Sequence, residues 1–210
     1  MKAVVDIETD SLDATKIHCI VAKDVDTRKV YPFPPDLLHG FRDWSHGVDQ
    51  FIMHNGLSFD APILNKLLNT NIKPSQIIDT LILSQLFNPI RDDGHSLEAW
   101  GKKLQMPKGE VETFDIYTDD MLEYCKQDVN ITHKLYEHLQ QEGKGFSKSS
   151  INLEHQVRLI INQQESNGFA LDLQKTMCLY NQLKDEAYGL EKWGRTHFDP
   201  TVIELKTKTK

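Results

Sequence analysis

Ala3-Val4-Val5-Asp6-Ile7-Glu8-Thr9-Asp10-Ser11-Leu12 sets a short apolar run directly against acidic residues. An apolar stretch of this length reads as a buried strand, Ala3 to Ile7. Residues i and i+2 of a strand point to the same face, so Asp6 and Glu8 can address one point. A solvated strand end would also look like this, and the remainder of the chain has to separate the two readings.

Outward from that strand, Ile17–Val21 and Lys29–Phe33 flank the polar Asp24–Arg28 stretch and read as a hairpin. Phe51–Met53 is a further short buried strand. Asp60-Ala61-Pro62 opens a helix continued by Ile63, Leu64, Leu67 and Leu68 at helical spacing. Ile77-Ile78 reads as a last strand, followed by a helix through Leu81, Ile82 and Leu86. Ser96 starts another helix over Leu97–Leu104, and a long one spans about Asp119 to Gln140. Antiparallel strands, then a crossover, then helices imply an α/β fold with a mixed sheet flanked by helices.

Gly143-Lys144-Gly145-Phe146-Ser147-Lys148-Ser149-Ser150 is the clear break in composition and reads as a linker. Beyond it, Leu153, Val157, Ile160 and Ile161 form a helical stripe ending at Asn167-Gly168. A second helix runs from about Leu173 to Trp193, with Tyr180, Leu183, Ala187 and Leu190 on one face. Two amphipathic helices bury little by themselves and need the first domain or another surface to pack on. The expected organisation is therefore a domain over 1–142, a linker over 143–150 and a helical extension over 151–210.

The chain has 210 residues, with 24 Lys+Arg against 31 Asp+Glu and a net charge of -7. Residues 1–142 hold 14 basic and 23 acidic side chains (14 - 23 = -9), and 143–210 hold 10 and 8 (10 - 8 = +2). This acidity argues against a general, sequence-blind grip on nucleic acid, which needs Lys and Arg against phosphate. No stretch has the apolar length of a membrane span, and the N-terminus lacks a signal peptide's apolar core. Cys19, Cys125 and Cys178 show no metal-type spacing and fit a reduced, cytoplasmic setting.

Two further carboxylates stand in suggestive company. His54-Asn55-Gly56-Leu57-Ser58-Phe59-Asp60 places Asp60 just after a strand, although helix N-capping would also explain it. Tyr124-Cys125-Lys126-Gln127-Asp128 puts a phenol and a carboxylate four apart on one helix face. Taken in order, Asp-x-Glu, Asn-x3-Phe-Asp and Tyr-x3-Asp resemble the three exonuclease motifs of the DEDD superfamily in its tyrosine-bearing subclass. Asp6 to Leu12 is similar to the proofreading motif of family A DNA polymerases. Asp79-Thr80, His95 to Gly101, and Leu153-Glu154 through Phe169 resemble segments of the phage members of that group.

The resemblance implies a ribonuclease-H-like fold with a mixed five-stranded sheet flanked by helices and a C-terminal helical extension like the base of a polymerase thumb. It implies a metal-dependent 3′-5′ exonuclease that proofreads by hydrolysing single-stranded or frayed 3′ DNA ends to nucleoside monophosphates. Two divalent cations, Mg²⁺ or alternatively Mn²⁺, would be held by Asp6, Glu8, Asp60 and Asp128, with Tyr124 orienting the attacking water. Thr9, Leu12, His54, Asn55 and Phe59 are the implied substrate contacts; Leu12 could equally be core, and His54 and Phe59 could anchor the strand and helix. His133 and His138 read as helix-surface residues. Lys102, Lys103 and Lys108 read as a solvated face or a track for a phosphate backbone.

No palm or fingers follow Lys210, so the resemblance implies the editing portion of a phage polymerase or a separate editing subunit working in the host cell cytoplasm. The expected partner is a DNA polymerase domain or subunit. The same chemistry on RNA is one alternative. A mainly structural polymerase-docking module is another, suggested by the extension helices and Lys206, Lys208 and Lys210.

Overall fold

The computed structural model describes residues 1–107, 109, 111 and 113–199. Lys108, Lys206, Lys208 and Lys210 lie outside the described residues. The chain forms two compact units, Met1–Ser166 and Asn167–Lys210.

The first unit is built on five strands: β1 (Lys2–Thr9), β2 (Ile17–Asp24), β3 (Val30–Phe33), β4 (Gln50–Met53) and β5 (Ile77–Asp79). Their order is β3-β2-β1-β4-β5. β1 to β3 are antiparallel neighbours, whereas β4 runs parallel to both β1 and β5, giving the expected mixed sheet. Helices α1 (Leu38–Ser45), α2 (Asp60–Leu68), α3 (Thr80–Phe87), α4 (Leu97–Lys103), α5 (Asp119–Glu142) and α6 (Lys148–Asn167) surround it.

β1 shows why its sequence forms a central strand. Ala3, Val5 and Ile7 enter one core with Phe41, Phe51 and Leu64, while Val4 enters the opposite core with Met121, Cys125 and Val129 of α5. Both faces are covered, so the strand is apolar at consecutive positions. By strand period, Asp6 and Glu8 share the Val4 face, the one that α5 covers.

β1 also outruns its parallel partner. Its last pairing with β4 joins Val4 to Ile52, whereas its pairing with β2 continues to Thr9 opposite Ile17. The carboxylate-bearing end of β1 is therefore bordered by strand on one side and open to side chains on the other.

Three features depart from the sequence reading. Helix α1 follows Pro34-Pro35 and contains Gly40, which conceals its apolar face; its Phe41 is fully buried between Phe33 and Trp44. Helix α6 begins at Lys148, within the stretch read as a linker. The turn is confined to the residues before it because Gly145 takes φ +107° and Ser147 Oγ accepts the Ser150 N–H at 3.0 Å. His133 is buried rather than on the surface: it lies 3.5 Å from Glu137 on the α5 face that meets the sheet, and burial holds its pKa below the usual value.

The second unit contains α7 (Leu173–His197), capped by Asp172, whose carboxylate accepts the Lys175 N–H at 3.1 Å. Its Tyr180, Leu183 and Leu190 stripe is more than half exposed.

Candidate active site

Asp6 and Glu8 converge as the strand period requires. One ligand atom from each, together with Cys125 Sγ from α5, lies within 4.8 Å of the others. Cys125 is a neutral thiol in this setting, because burial pushes its pKa well above the usual value and the hydrogen bond to Cys19 and the charge of Asp6 push the same way. Its S–H donates to Asp6, with the carbonyl oxygen at 3.4 Å and carboxylate Oδ2 at 3.5 Å. With the sulfur held as a thiol, the donors suited to a cation at this point are the carboxylate oxygens, the set that hard divalent cations prefer.

Asp60 is the third carboxylate, and the structure separates its two sequence readings. It is the first residue of α2, Phe59 occupies the cap position, and no side-chain cap bond forms there. The Asp60 carboxylate instead accepts its own N–H and the N–H of Ile7, which lies between Asp6 and Glu8 on β1. It takes this donor where β1 has run past β4.

Asp60 is almost wholly buried. Burial pushes its pKa up to about 7 and the nearby Asp79 adds to the rise, while the two backbone hydrogen bonds pull the other way. A buried acid held against the repulsion of Asp79 and bonded to the backbone between Asp6 and Glu8 is what a cation would stabilise, so the residues present fit a divalent metal.

Asp79 is the supporting residue that sequence reading left without a role. It ends β5 and caps α3, accepting the N–H groups of Asn55 at 3.0 Å, Leu57 at 3.1 Å and Leu81 at 3.0 Å. Its own pKa is raised by burial, which those bonds only partly offset. The available signal was local: Asp before Thr80-Leu81 is an N-cap pattern. Cys125 gave no comparable signal, since its contact with Asp6 is purely tertiary.

Asp128 lies one turn beyond Cys125 on the buried face of α5 and is itself buried. Tyr124 stands on the same helix with its ring edge-on to Phe114, the centroids 6.2 Å apart. Phe114 is tethered in turn, its carbonyl accepting a hydrogen bond from His18 Nε2 at 2.9 Å. Asp60 and Asp128 are not members of the tight Asp6–Glu8–Cys125 group.

Among the expected substrate contacts, Leu12 is 91% exposed and so is not core. Thr9 is buried, and its Oγ1 donates to the Ser11 carbonyl at 2.9 Å. Asn55 takes φ 65° at the loop entry, and His54 Nδ1 lies 2.9 Å from Thr80 Oγ1. Phe59 packs against the core beneath α2.

Residues 3–144 match the profile of the 3′-5′ exonuclease family of the polymerase A type, and the chain belongs to that family. It is 27% identical to the DNA-directed DNA polymerase of Escherichia phage T7, over 86% of this chain and 35% of that protein. It is 26% identical to the corresponding polymerase of Enterobacteria phage T3, with the same coverage of 86% and 35%. The chain thus spans about a third of the length of these curated relatives.

Among solved structures, it is similar to Brucella melitensis NrnC with bound Mg²⁺ (TM-score 0.55, 19% identity, 76% of this chain and 85% of that chain). It is also similar to the catalytic core of RRP6 from Trypanosoma brucei (TM-score 0.58, 15% identity, 78% and 46%). At such identities the likeness is one of fold, and that fold is the expected ribonuclease-H-like one. Among the described residues no helix is long and apolar enough to cross a membrane.

Proposed function

We propose that this chain is a metal-dependent 3′-5′ exodeoxyribonuclease that edits single-stranded or frayed 3′ DNA ends for a phage-type DNA polymerase in the host cytoplasm. The observation that carries this reading is the convergence on β1: Asp6 and Glu8 meet on one face, and Asp60 bonds to Ile7 between them. Membership of the exonuclease family supports the reaction class, and sequence likeness to phage DNA polymerases supports DNA as the substrate. We assign the candidate nuclease residues to 1–142, followed by a connection over 143–147 and a helical extension of α6 and α7, of which α6 belongs to the same compact unit as the nuclease.

In this reading Asp6, Glu8, Asp60 and Asp128 hold two divalent cations, with Mg²⁺ the best match to an all-oxygen set. Such cations supply Lewis acidity at the phosphate and lower the pKa of a bound water. Tyr124 orients the attacking water by a hydrogen bond; a phenol with a pKa near 10 positions a water better than it deprotonates one at neutral pH. Leu12 offers an exposed apolar surface to the terminal base, and Thr9, His54, Asn55 and Phe59 border the terminal nucleotide.

Replacing Asp6 and Glu8 together with Ala is expected to abolish Mg²⁺-dependent release of nucleoside monophosphates from single-stranded DNA, with an unchanged circular dichroism spectrum. Retained activity in that variant would overturn the assignment. RNA is the second reading, because the fold is also similar to a Trypanosoma brucei RNase D (TM-score 0.56, 14% identity, 77% of this chain and 64% of that chain). Rates on matched DNA and RNA oligonucleotides decide the substrate, and DNA is expected to be the faster.

A further inference from the structure

Helix α6 lies beyond the residues that match the exonuclease family, yet it bonds repeatedly to the loop that delivers Asp60. Arg158 Nε donates to Ser58 Oγ at 2.7 Å, and Ser58 Oγ donates onward to Asn162 Oδ1 at 3.0 Å. Asn162 Nδ2 donates to the Leu57 carbonyl at 3.0 Å. One turn earlier, His155 Nε2 accepts the Asp79 N–H at 3.1 Å, its tautomer fixed by Nδ1–H donating to the Ile151 carbonyl at 2.8 Å. Asp79 in turn binds the Asn55 and Leu57 N–H groups through its carboxylate. Leu159 adds apolar contact with the core that includes Leu57.

The bonds form one connected set. Residues 55–59 are gripped by Asp79 from the sheet and by Arg158 and Asn162 from α6, and Asp60 follows immediately. Such a grip has a physical purpose at this position. Asp60 is buried as the first residue of α2, directly after residues 55–59, so the placement of its carboxylate follows from how those residues are held. Gly56 reinforces the point: a Cβ there would sit 2.2 Å from Met53 Cβ, so the loop is pressed against the end of β4.

We propose that α6 is a clamp on the 55–60 loop, and that His155, Arg158 and Asn162 are positioning residues that hold Asp60 at β1 for metal binding. Their bonds run to Ser58, Leu57 and Asp79, and they act through those residues. The inference rests on the nuclease reading above only for the identity of the ligand that Asp60 receives.

The test compares the full-length chain with Arg158→Ala/Asn162→Ala by three readouts: Mn²⁺ binding by the electron paramagnetic resonance of free Mn²⁺, Mg²⁺-dependent hydrolysis of single-stranded DNA, and amide exchange at Asn55 and Leu57. The expected result is about tenfold weaker Mn²⁺ binding and a matching rise in the Mg²⁺ needed for half-maximal rate. Exchange at Asn55 and Leu57 should be faster, with core amides of β1 unchanged. Arg158→Lys, which keeps a donor, should restore part of the loss. If the double variant unfolds, Arg158→Ala and Asn162→Ala carry the same comparison singly.

Unchanged metal binding and unchanged exchange at Leu57 would overturn the clamp. A uniform rise in exchange across β1 would also overturn it, by showing a general stability role. A wild-type chain that neither cleaves nor binds metal would sink the nuclease reading instead, while amide exchange would still decide whether α6 holds the loop.

Discussion

Asp60 accepts two backbone N–H groups and still has its ionisation lifted to about 7 by burial and by Asp79. In an unfolded chain a carboxyl of this kind titrates near about 3.9. A raised pKa means that the fold favours the protonated form, so the stability linked to this group is fully present below about pH 4 and is lost as pH rises through about 7. Asp60→Asn keeps an oxygen for the Ile7 N–H and removes the charge. Without divalent metal the variant should melt higher than wild type at pH 8, by about 2–4 °C per kcal/mol gained. The gap should close at pH 4, and Mg²⁺ should stabilise only the wild type. Calorimetry at the two pH values checks this, and equal melting at pH 8 would contradict it. Residue by residue, Asp6 and Glu8 were legible because strand period fixes their shared face. Asp60 was ambiguous because a carboxylate before Ala-Pro serves equally as a cap, and only the tertiary bond to Ile7 separates the two roles. His133 was misread because α5 is covered by sheet over more of its circumference than its sequence pattern shows.

Between β1 and β2, the hairpin turn is organised by Asp10, whose carboxylate accepts the Thr15 N–H at 3.0 Å, the Lys16 N–H at 3.1 Å and the Thr15 hydroxyl at 2.5 Å. The Thr15 hydroxyl, then the Lys16 amide, holds the Asp10 pKa down to about 2. A depressed value contributes stability above about pH 4, lost as pH falls through about 2, so this turn stays ordered across the neutral range. Its apex carries Leu12, 91% exposed on a turn pinned from within. Loss of one apolar contact of about 1.4 kcal/mol is tenfold in binding, so Leu12→Ala should weaken binding of a single-stranded 3′ end by up to about that factor. Asp10→Ala should reproduce the defect and speed amide exchange at Thr15 and Lys16; an Asp10 variant with normal affinity would separate the turn from substrate contact. Strands and long helices were legible because their apolar periods are regular. Helix α1 was not, since Pro34, Pro35 and Gly40 resemble loop composition, and the start of α6 was hidden by serines that turn out to include its cap.

Across the whole chain the net charge of -7 first counted against a nucleic acid partner. The structure alters how that number is read, because part of the acidity is concentrated at β1, where it fits cations rather than repelling DNA at large. Two bound divalent ions would add four charges to the net -9 of residues 1–142. The remainder still disfavours a broad phosphate grip, and the metal-free chain is expected to leave duplex DNA unbound at about 0.15 M salt, with Mg²⁺ needed to retain a short single strand. Fluorescence anisotropy with each DNA, with and without EDTA, checks this. Tight metal-free duplex binding would contradict it. The mixed sheet was readable because motif order and strand lengths point the same way. The contribution of α6 was not, because it depends on bonds between residues about a hundred positions apart, which no local period records.

That last feature alters where the chain can be cut. The match to the exonuclease family ends at 144, whereas the compact first unit continues to Ser166. A graft trimmed to the likeness would carry all four candidate carboxylates and Tyr124, yet leave behind Arg158 and Asn162. The smallest transplantable editing module is therefore longer than the stretch that defines the exonuclease family.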